Sequence, residues 1–160
     1  MLISACLLGV QCRYDGGHAL CKPLIDFLPE IHAVPFCPEQ MGGLPTPRPP
    51  ANIIGGDGAD VLAGTAKCIN HLDQDVTQAF IKGAKEAFRL AELMGARLAI
   101  GKDKSPSCGL ATPYCESPKG IGMGVAAALL RQKGLMVWEI GQEGLFPTPD
   151  FIEILTTLYN

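Results

Sequence analysis

The chain is poor in charge and poorer still in aromatic side chains: 18% of its 160 residues are Asp, Glu, Lys or Arg, and 6% are Phe, Trp or Tyr. Thirteen basic residues against sixteen acidic ones leave a net charge of −3. With no Lys/Arg cluster either, the chain lacks the phosphate-neutralising surface that DNA or RNA binding requires. No apolar run approaches the roughly 18 residues of a membrane span. No Cys-x-x-Cys pair occurs, so spacing names no structural zinc site. No Walker motif occurs. Gly120-Ile-Gly-Met-Gly124 opens a helix but follows a loop rather than a strand, and reads as tight backbone packing rather than a dinucleotide cradle. His18, His32 and His71 share no helical spacing and read as ordinary surface or core histidines.

What remains is a chain with 48% hydrophobic residues, long enough for one domain that hides roughly 70% of the surface its unfolded form exposes. Its seven cysteines are odd in number and lack the density and short spacing of a secreted disulfide scaffold. Reduced thiols in the cytoplasm are therefore expected. The opening Met-Leu-Ile-Ser-Ala-Cys has nothing basic and no adequate apolar stretch before Cys6, and reads as a first strand rather than a lipoprotein signal.

Periodicity and punctuation then set out the elements. Residues 2–6 form a buried strand that stops at a glycine turn, Pro23 to Ile31 a short helix, and His32 to Phe36 a second strand. Gly42 to Pro50 carries too many prolines for helix or interior strand and is expected to be a stiff loop that can wall a pocket. Gly55-Gly-Asp-Gly58 is a turn, and Asp60 to Asn70 a hairpin or edge excursion. Val76 to Met94 is the clearest helix: Asp75 caps it, Gln78 completes a capping box, and Phe80, Ala84, Ala87, Ala91 and Met94 recur on one face before Gly95 ends it. Arg97 to Ile100 is a third strand, Gly124 to Gln132 a helix, Leu135 to Ile140 a fourth strand and Phe151 to Leu158 a final helix. This order calls for a single α/β domain with a mostly parallel, doubly wound sheet and helices on both faces, in a Rossmann- or flavodoxin-like arrangement.

In that arrangement Cys6, Cys37 and Cys108 each follow a strand and meet at one sheet edge, where ligands of open α/β sheets bind. Each lies among glycines and prolines, and thiols in such loops near helix N-termini have depressed pKa values. Three converging thiolates make a metal site with one position left open; zinc or an iron–sulfur cluster would accept them equally. Cys12, Cys21, Cys68 and Cys115 read as incidental. Glu39 in Cys-Pro-Glu stands where a general acid/base would serve the site. Ser105 and Ser107 flank Pro106 just before Cys108, where a hydroxyl can orient water or relay a proton. Lys102 and Lys104 read as solvated.

The segments Ile3-Ser-Ala-Cys-Leu-Leu-Gly9, Arg13-Tyr-Asp-Gly16, Cys37-Pro-Glu39, Gly42 to Pro50, Gly55-Gly-Asp-Gly58, Asp75-Val-Thr77 and Lys102 to Gly109 stand in one fixed order. At these residues the chain resembles the domain of unknown function 523 family, whose characterised relatives are thiouracil desulfidases. Cys12, Cys115 and the stretch Leu110 to Lys119 depart from the family pattern. The resemblance implies a 4Fe–4S cluster held by Cys6, Cys37 and Cys108 with the fourth iron free, catalysis by Glu39 and Ser105, and Arg13, Asp15, Arg48 and Ser107 around the substrate. The expected reaction replaces the sulfur of a thiolated pyrimidine or similar thiocarbonyl compound with oxygen from water, releasing sulfide. A soft sulfur prefers iron over a hard cation. The alternatives from other classes are a cluster or sulfide carrier without turnover and a zinc hydrolase. The expected partner is a small thiolated molecule, with a homodimer compatible with the sequence and neither nucleic acid nor membrane involved.

Overall fold

The apolar run at the start of the chain becomes a central strand because both of its faces are covered. In the computed structural model, which describes residues 1–28, 32–143 and 145–159, the strands are β1 (Leu2–Ser4), β2 (Val34–Phe36), β3 (Ala51–Ile54), β4 (Lys67–Asn70), β5 (Leu98–Lys102) and β6 (Met136–Ile140). The helices are α1 (Lys22–Phe27), α2 (Pro38–Met41), α3 (Gly58–Ala63), α4 (Thr77–Leu93), α5 (Val125–Gln132) and α6 (Pro149–Tyr159). Four strands form a parallel sheet in the order β2-β1-β5-β6, with Leu2 opposite Val34 and Ala99, and Ile3 opposite Pro35 and Ile100.

Because side chains alternate across a strand, that register sorts the sheet into two cores. Ile3, Leu98, Ile100 and Ile140 pack with Leu24 of α1, Phe146 and Phe151 of α6. Leu2, Phe36, Ala99 and Val137 pack with Ala87 and Ala91 of α4 and with Ala127 and Leu130 of α5. The sheet is thus doubly wound, with helices on both faces as expected. The chain leaves β1 toward β2 and returns on its other side as β5, so the strand order reverses at β1. Crevices at such reversals are where open α/β sheets bind ligands.

Strand β1 stops at Ser4 instead of running to Cys6, because Ala5–Leu8 winds into a 3-10 turn closed by Gly9 in the left-handed region, φ 88°. This turn carries Cys6 over the sheet's rim. Helix α1 covers Lys22–Phe27; residues 29–31, the expected end of that helix, lie outside the described residues. Gly42 to Pro50 forms no regular element, as its prolines require.

Two readings need correction. The Asp60 to Asn70 excursion is a helix followed by a strand: Asp57 accepts the Ala59 N–H at 2.8 Å while Asp60 accepts the Asp57 N–H at 2.9 Å, and β4 then pairs antiparallel with β3. This capping box has Asp60 at its third helical position where Glu or Gln is usual, and so lacks the common sequence signature. At α4, Val76 occupies the N-cap without a side-chain cap. Asp75 accepts the Thr77 N–H at 3.0 Å and pairs with Lys67, so the box with Gln78 is replaced by a local Asp turn. Phe80, Ala84, Ala87 and Ala91 are buried, but Met94 is 57% exposed because it lies past the last helical residue. No helix among the described residues is long and apolar enough to cross a membrane.

Candidate active site

At the carboxyl ends of β1, β2 and β5 lies a cavity of about 320 Å³, at the small end of the range usual for ligand pockets. It brings together Cys6, Cys37, Cys108, Glu39, Ser105, Ser107, Arg13 and Arg48. Asp15 is the one expected site residue outside it.

Each thiol is delivered by a different local device. Cys6 rides the 3-10 turn after β1. Cys37 is the N-cap residue of α2, with Pro38 fixing the first helical position. That short helix is pressed onto α4 so closely that a Cβ on Gly83 would stand 1.8 Å from the Pro38 carbonyl oxygen. Cys108 lies in the loop after β5, where a Cβ on Gly101 would come equally close to the Cys108 carbonyl oxygen. The loop is docked at its other side on the start of α5, whose Ala126 N–H donates to the Ser107 carbonyl at 2.8 Å. A small side chain links two of the sulfurs. The Ser4 hydroxyl, buried, is within hydrogen-bond distance of both Cys6 Sγ (3.4 Å) and Cys108 Sγ (3.6 Å). Cys12 is buried beside them, in one cluster with Cys6 and with Cys37 packed against it.

Cys12 was read as incidental, and the structure corrects that: it is 2% exposed and lines the cavity. It also reshapes the electrostatics. Hydrogen bonding to Cys12 is the largest influence holding the Cys6 and Cys37 thiols down to about 7, against the opposing effect of burial. The Ser4 hydroxyl and the Lys102 and Arg13 charges assist at Cys6; the Gln40 N–H, from the first turn of α2, assists at Cys37. Cys12 itself is pushed well up, as the group that keeps the shared proton. The expectation of depressed thiols therefore holds at Cys6 and Cys37 for a different main reason than a helix terminus. It fails at Cys108, where complete burial raises the thiol to about 12 despite hydrogen bonds from Ser105, the Lys102 N–H and Ser4.

Oxygen and nitrogen groups line the same cavity. Arg48 is buried and donates to Glu39 Oε2 (2.5 Å), the Pro45 carbonyl, the Thr46 hydroxyl and the Cys12 carbonyl (3.1 Å). It thereby ties the proline-rich loop, the Cys-Pro-Glu segment and the Cys12 turn together. Of its five donors, most are spent on the protein. Arg13 is braced by Asp15 in a two-pronged ion pair, 2.9 and 3.2 Å, which raises the Arg13 guanidinium and lowers Asp15 to about 2. Asp15 acts on the cavity through Arg13. Ser105 Oγ accepts the N–H groups of Ser107 and Cys108, each at 3.2 Å. Its own hydroxyl proton is left for Cys108 or a molecule in the cavity.

Tyr14, Asn52, His71, Lys102 and Tyr114 also line the cavity. Tyr14 belongs to a quoted motif. Asn52 and Tyr114 had no signal, because β3 and the divergent loop after Cys108 reach the site only through tertiary packing, with the Ile53 N–H donating to the Tyr114 carbonyl at 2.9 Å. Cys21, Cys68 and Cys115 lie away from the cavity. Cys21 is buried at the N-cap of α1, Cys68 lies in the core beneath β4 with its thiol raised to about 12 by burial, and Cys115 donates to the Thr112 carbonyl at 3.3 Å.

The donor set fits an iron–sulfur cluster: three soft sulfurs line one cavity together with oxygen and nitrogen groups. Among the described residues no three His, Cys, Asp or Glu side chains close on a single ion. A multi-iron cluster places each ligand on a separate metal and asks for wider spacing.

A doubly wound α/β domain with a thiol-lined cavity at its strand reversal defines a class of ligand-binding protein, and comparison with known sequences makes it specific. The description 2-thiouracil desulfurase belongs to a family whose sequence pattern matches residues 1–141. The chain belongs to this family of enzymes. It is 44% identical over 140 residues to the uncharacterised protein YbbK of Bacillus subtilis (strain 168), covering 86% of this chain and 93% of that one. Its fold matches the solved structure of the 4Fe–4S-dependent thiouracil desulfidase TudS with a TM-score of 0.78 and 34% identity, over 99% of this chain and 98% of that one.

Proposed function

We propose that the protein is a 4Fe–4S-dependent desulfidase that exchanges the sulfur of a thiocarbonyl compound such as thiouracil for the oxygen of water. The observation that carries this reading is one cavity with Cys6, Cys37 and Cys108 on its walls and the Arg48-held carboxylate of Glu39 among the lining groups. Cys6, Cys37 and Cys108 would hold the cluster. When bound, it supplies an iron without a protein ligand, a Lewis acid soft enough for sulfur.

The remaining steps belong to this chain's own residues. Arg48 takes one oxygen of Glu39, Oε2, leaving Oε1 to receive a proton from water as that water attacks the thiocarbonyl carbon. Ser105, held by two backbone N–H groups, passes a proton toward the departing sulfur. Arg13, braced by Asp15, offers its remaining donors to the polar edge of the substrate. Ser107 lines the same wall. One water is consumed, one hydrogen sulfide leaves, and the carbon's oxidation state is unchanged, so no nucleotide cofactor is required.

The test is anaerobic reconstitution followed by iron, sulfide and turnover analysis with thiouracil. Iron and acid-labile sulfide together with sulfide release are expected. Glu39→Gln is expected to keep the iron and lose about 10²–10⁴-fold in rate. An iron-replete sample that releases no sulfide from any thiolated base would identify a carrier, and zinc without sulfide would overturn the cluster.

A further inference from the structure

Of the four cysteines outside the ligand set proposed above, Cys12 alone borders the cavity. Cys12 packs in one buried cluster with Cys6, against which Cys37 also packs, and its carbonyl accepts from Arg48 at 3.1 Å and from the Cys37 thiol at 3.8 Å. Cys21 shares the apolar cluster of Cys6 and Cys12, and Cys68 fills another; neither borders the cavity, whereas Cys12 does. The segment that bears it has no regular structure: Gly9 is left-handed, Val10 and Gln11 are exposed, and the Cys12 N–H bonds only to the nearby Val10 carbonyl at 2.9 Å. With its carbonyl anchored on Arg48, the thiol can shift by rotation about its own Cα–Cβ bond.

A cluster with one open iron is exposed to water and oxidants whenever substrate is absent. A thiolate is the same kind of soft donor as the substrate's sulfur, and one tethered at the cavity wall competes at high effective concentration. We propose that Cys12 is an exchangeable fourth ligand, closing the iron that Cys6, Cys37 and Cys108 leave free and withdrawing when a thiocarbonyl sulfur arrives. Withdrawal is redox-neutral. The Cys12 thiolate leaves with its electron pair and takes up one proton from water; the incoming sulfur donates a pair in its place, and the iron keeps its charge. This inference rests on the cluster reading above, and its test separates the two.

Wild type and Cys12→Ala are reconstituted anaerobically, with Cys12→Ser as the nearly isosteric control for folding. Iron and sulfide are counted, and the samples are treated with ferricyanide while the three-iron signal that reports loss of the unguarded iron is followed by electron paramagnetic resonance. Equal iron and sulfide in all three proteins, with that signal growing at least about tenfold faster in both variants, is the expected result. The KM for thiouracil should also fall in the variants, since an internal competitor has been removed. Equal rates of iron loss would overturn the proposal, as would loss of all iron from both variants, which would make Cys12 one of the holding ligands. Wild type without iron and sulfide would overturn the cluster reading and this inference with it.

Discussion

Arg48 Nε donates to Glu39 Oε2 at 2.5 Å, and the two side chains are only 4% and 17% exposed. A buried pair of this kind is weak evidence for net stability, but removing one partner strands the other. Arg48→Met should therefore destabilise the protein by about 3 kcal/mol, read from the urea midpoint. Arg48→Lys should restore little, because a single ammonium cannot reach the four acceptors that the guanidinium fork serves. Recovery of full activity by the lysine variant would show that only the charge matters.

Thiol chemistry provides a second check, in the cluster-free, reduced protein. Cys37 is half-buried with its thiol near 7, and only the thiolate is nucleophilic. Its alkylation by iodoacetamide should climb between roughly pH 6 and 8 and then level off, whereas Cys108, buried and raised to about 12, should stay unlabelled until the chain unfolds. Peptide mapping by mass spectrometry distinguishes the two. Cys12→Ser should slow labelling of Cys37 at pH 7, since Cys12 is the largest cause of its depression.

Gly101→Ala probes how the loop of Cys108 is seated. The added methyl would lie 1.8 Å from the Cys108 carbonyl oxygen, so the loop must lift from β5 at a cost of about 1–3 kcal/mol. Circular dichroism should show the sheet retained while iron loading collapses. Normal iron content would mean that the loop tolerates displacement.

The Asp15–Arg13 brace should leave a pH signature. Asp15 is lowered to about 2 by Arg13 and the Gly17 N–H, so its folded pKa lies below the unfolded value. The stability it contributes is complete above roughly pH 4 and is lost as pH falls toward 2. The difference in denaturation midpoint between wild type and Asp15→Asn should close over that window. At neutral pH the variant should keep its iron and show a raised KM, because Arg13 loses its orientation.

The sheet and its long helices were readable because their signals are local: Leu98 to Ile100 is apolar on both sides, and Phe80, Ala84, Ala87 and Ala91 repeat at helical spacing. The β3–α3–β4 unit was not, since Asp57 and Asp60 form its cap with residues that usually mark a loop, and β4 has one face against α4 and the other near solvent. At the site, motifs pointed to Cys6, Cys37, Cys108, Glu39 and both serines, all of which border one cavity. Cys12 was missed for a physical reason. Nothing in a turn-rich stretch says which way a thiol points, and only the fold of Ala5 to Gly9 swings it between two other sulfurs. Arg48 lines the cavity, while its inward engagement with four acceptors depends on where three separate segments end.

The sheet order β2-β1-β5-β6 also bears on biogenesis. A chain still on the ribosome and synthesised as far as α4 already carries Cys6, Cys12 and Cys37, yet it has neither the strand that closes on β1 nor Cys108 and its supporting loop. Those come after residue 97. Of the five thiols the nascent protein then carries, the three that border the cavity, two of them disposed toward the thiolate form once folded, are made before the strand and loop that complete the site. If the chain holds the cluster proposed above, all three of its ligands are present and seated only after synthesis has passed α5, whose Ala126 N–H bonds the Ser107 carbonyl.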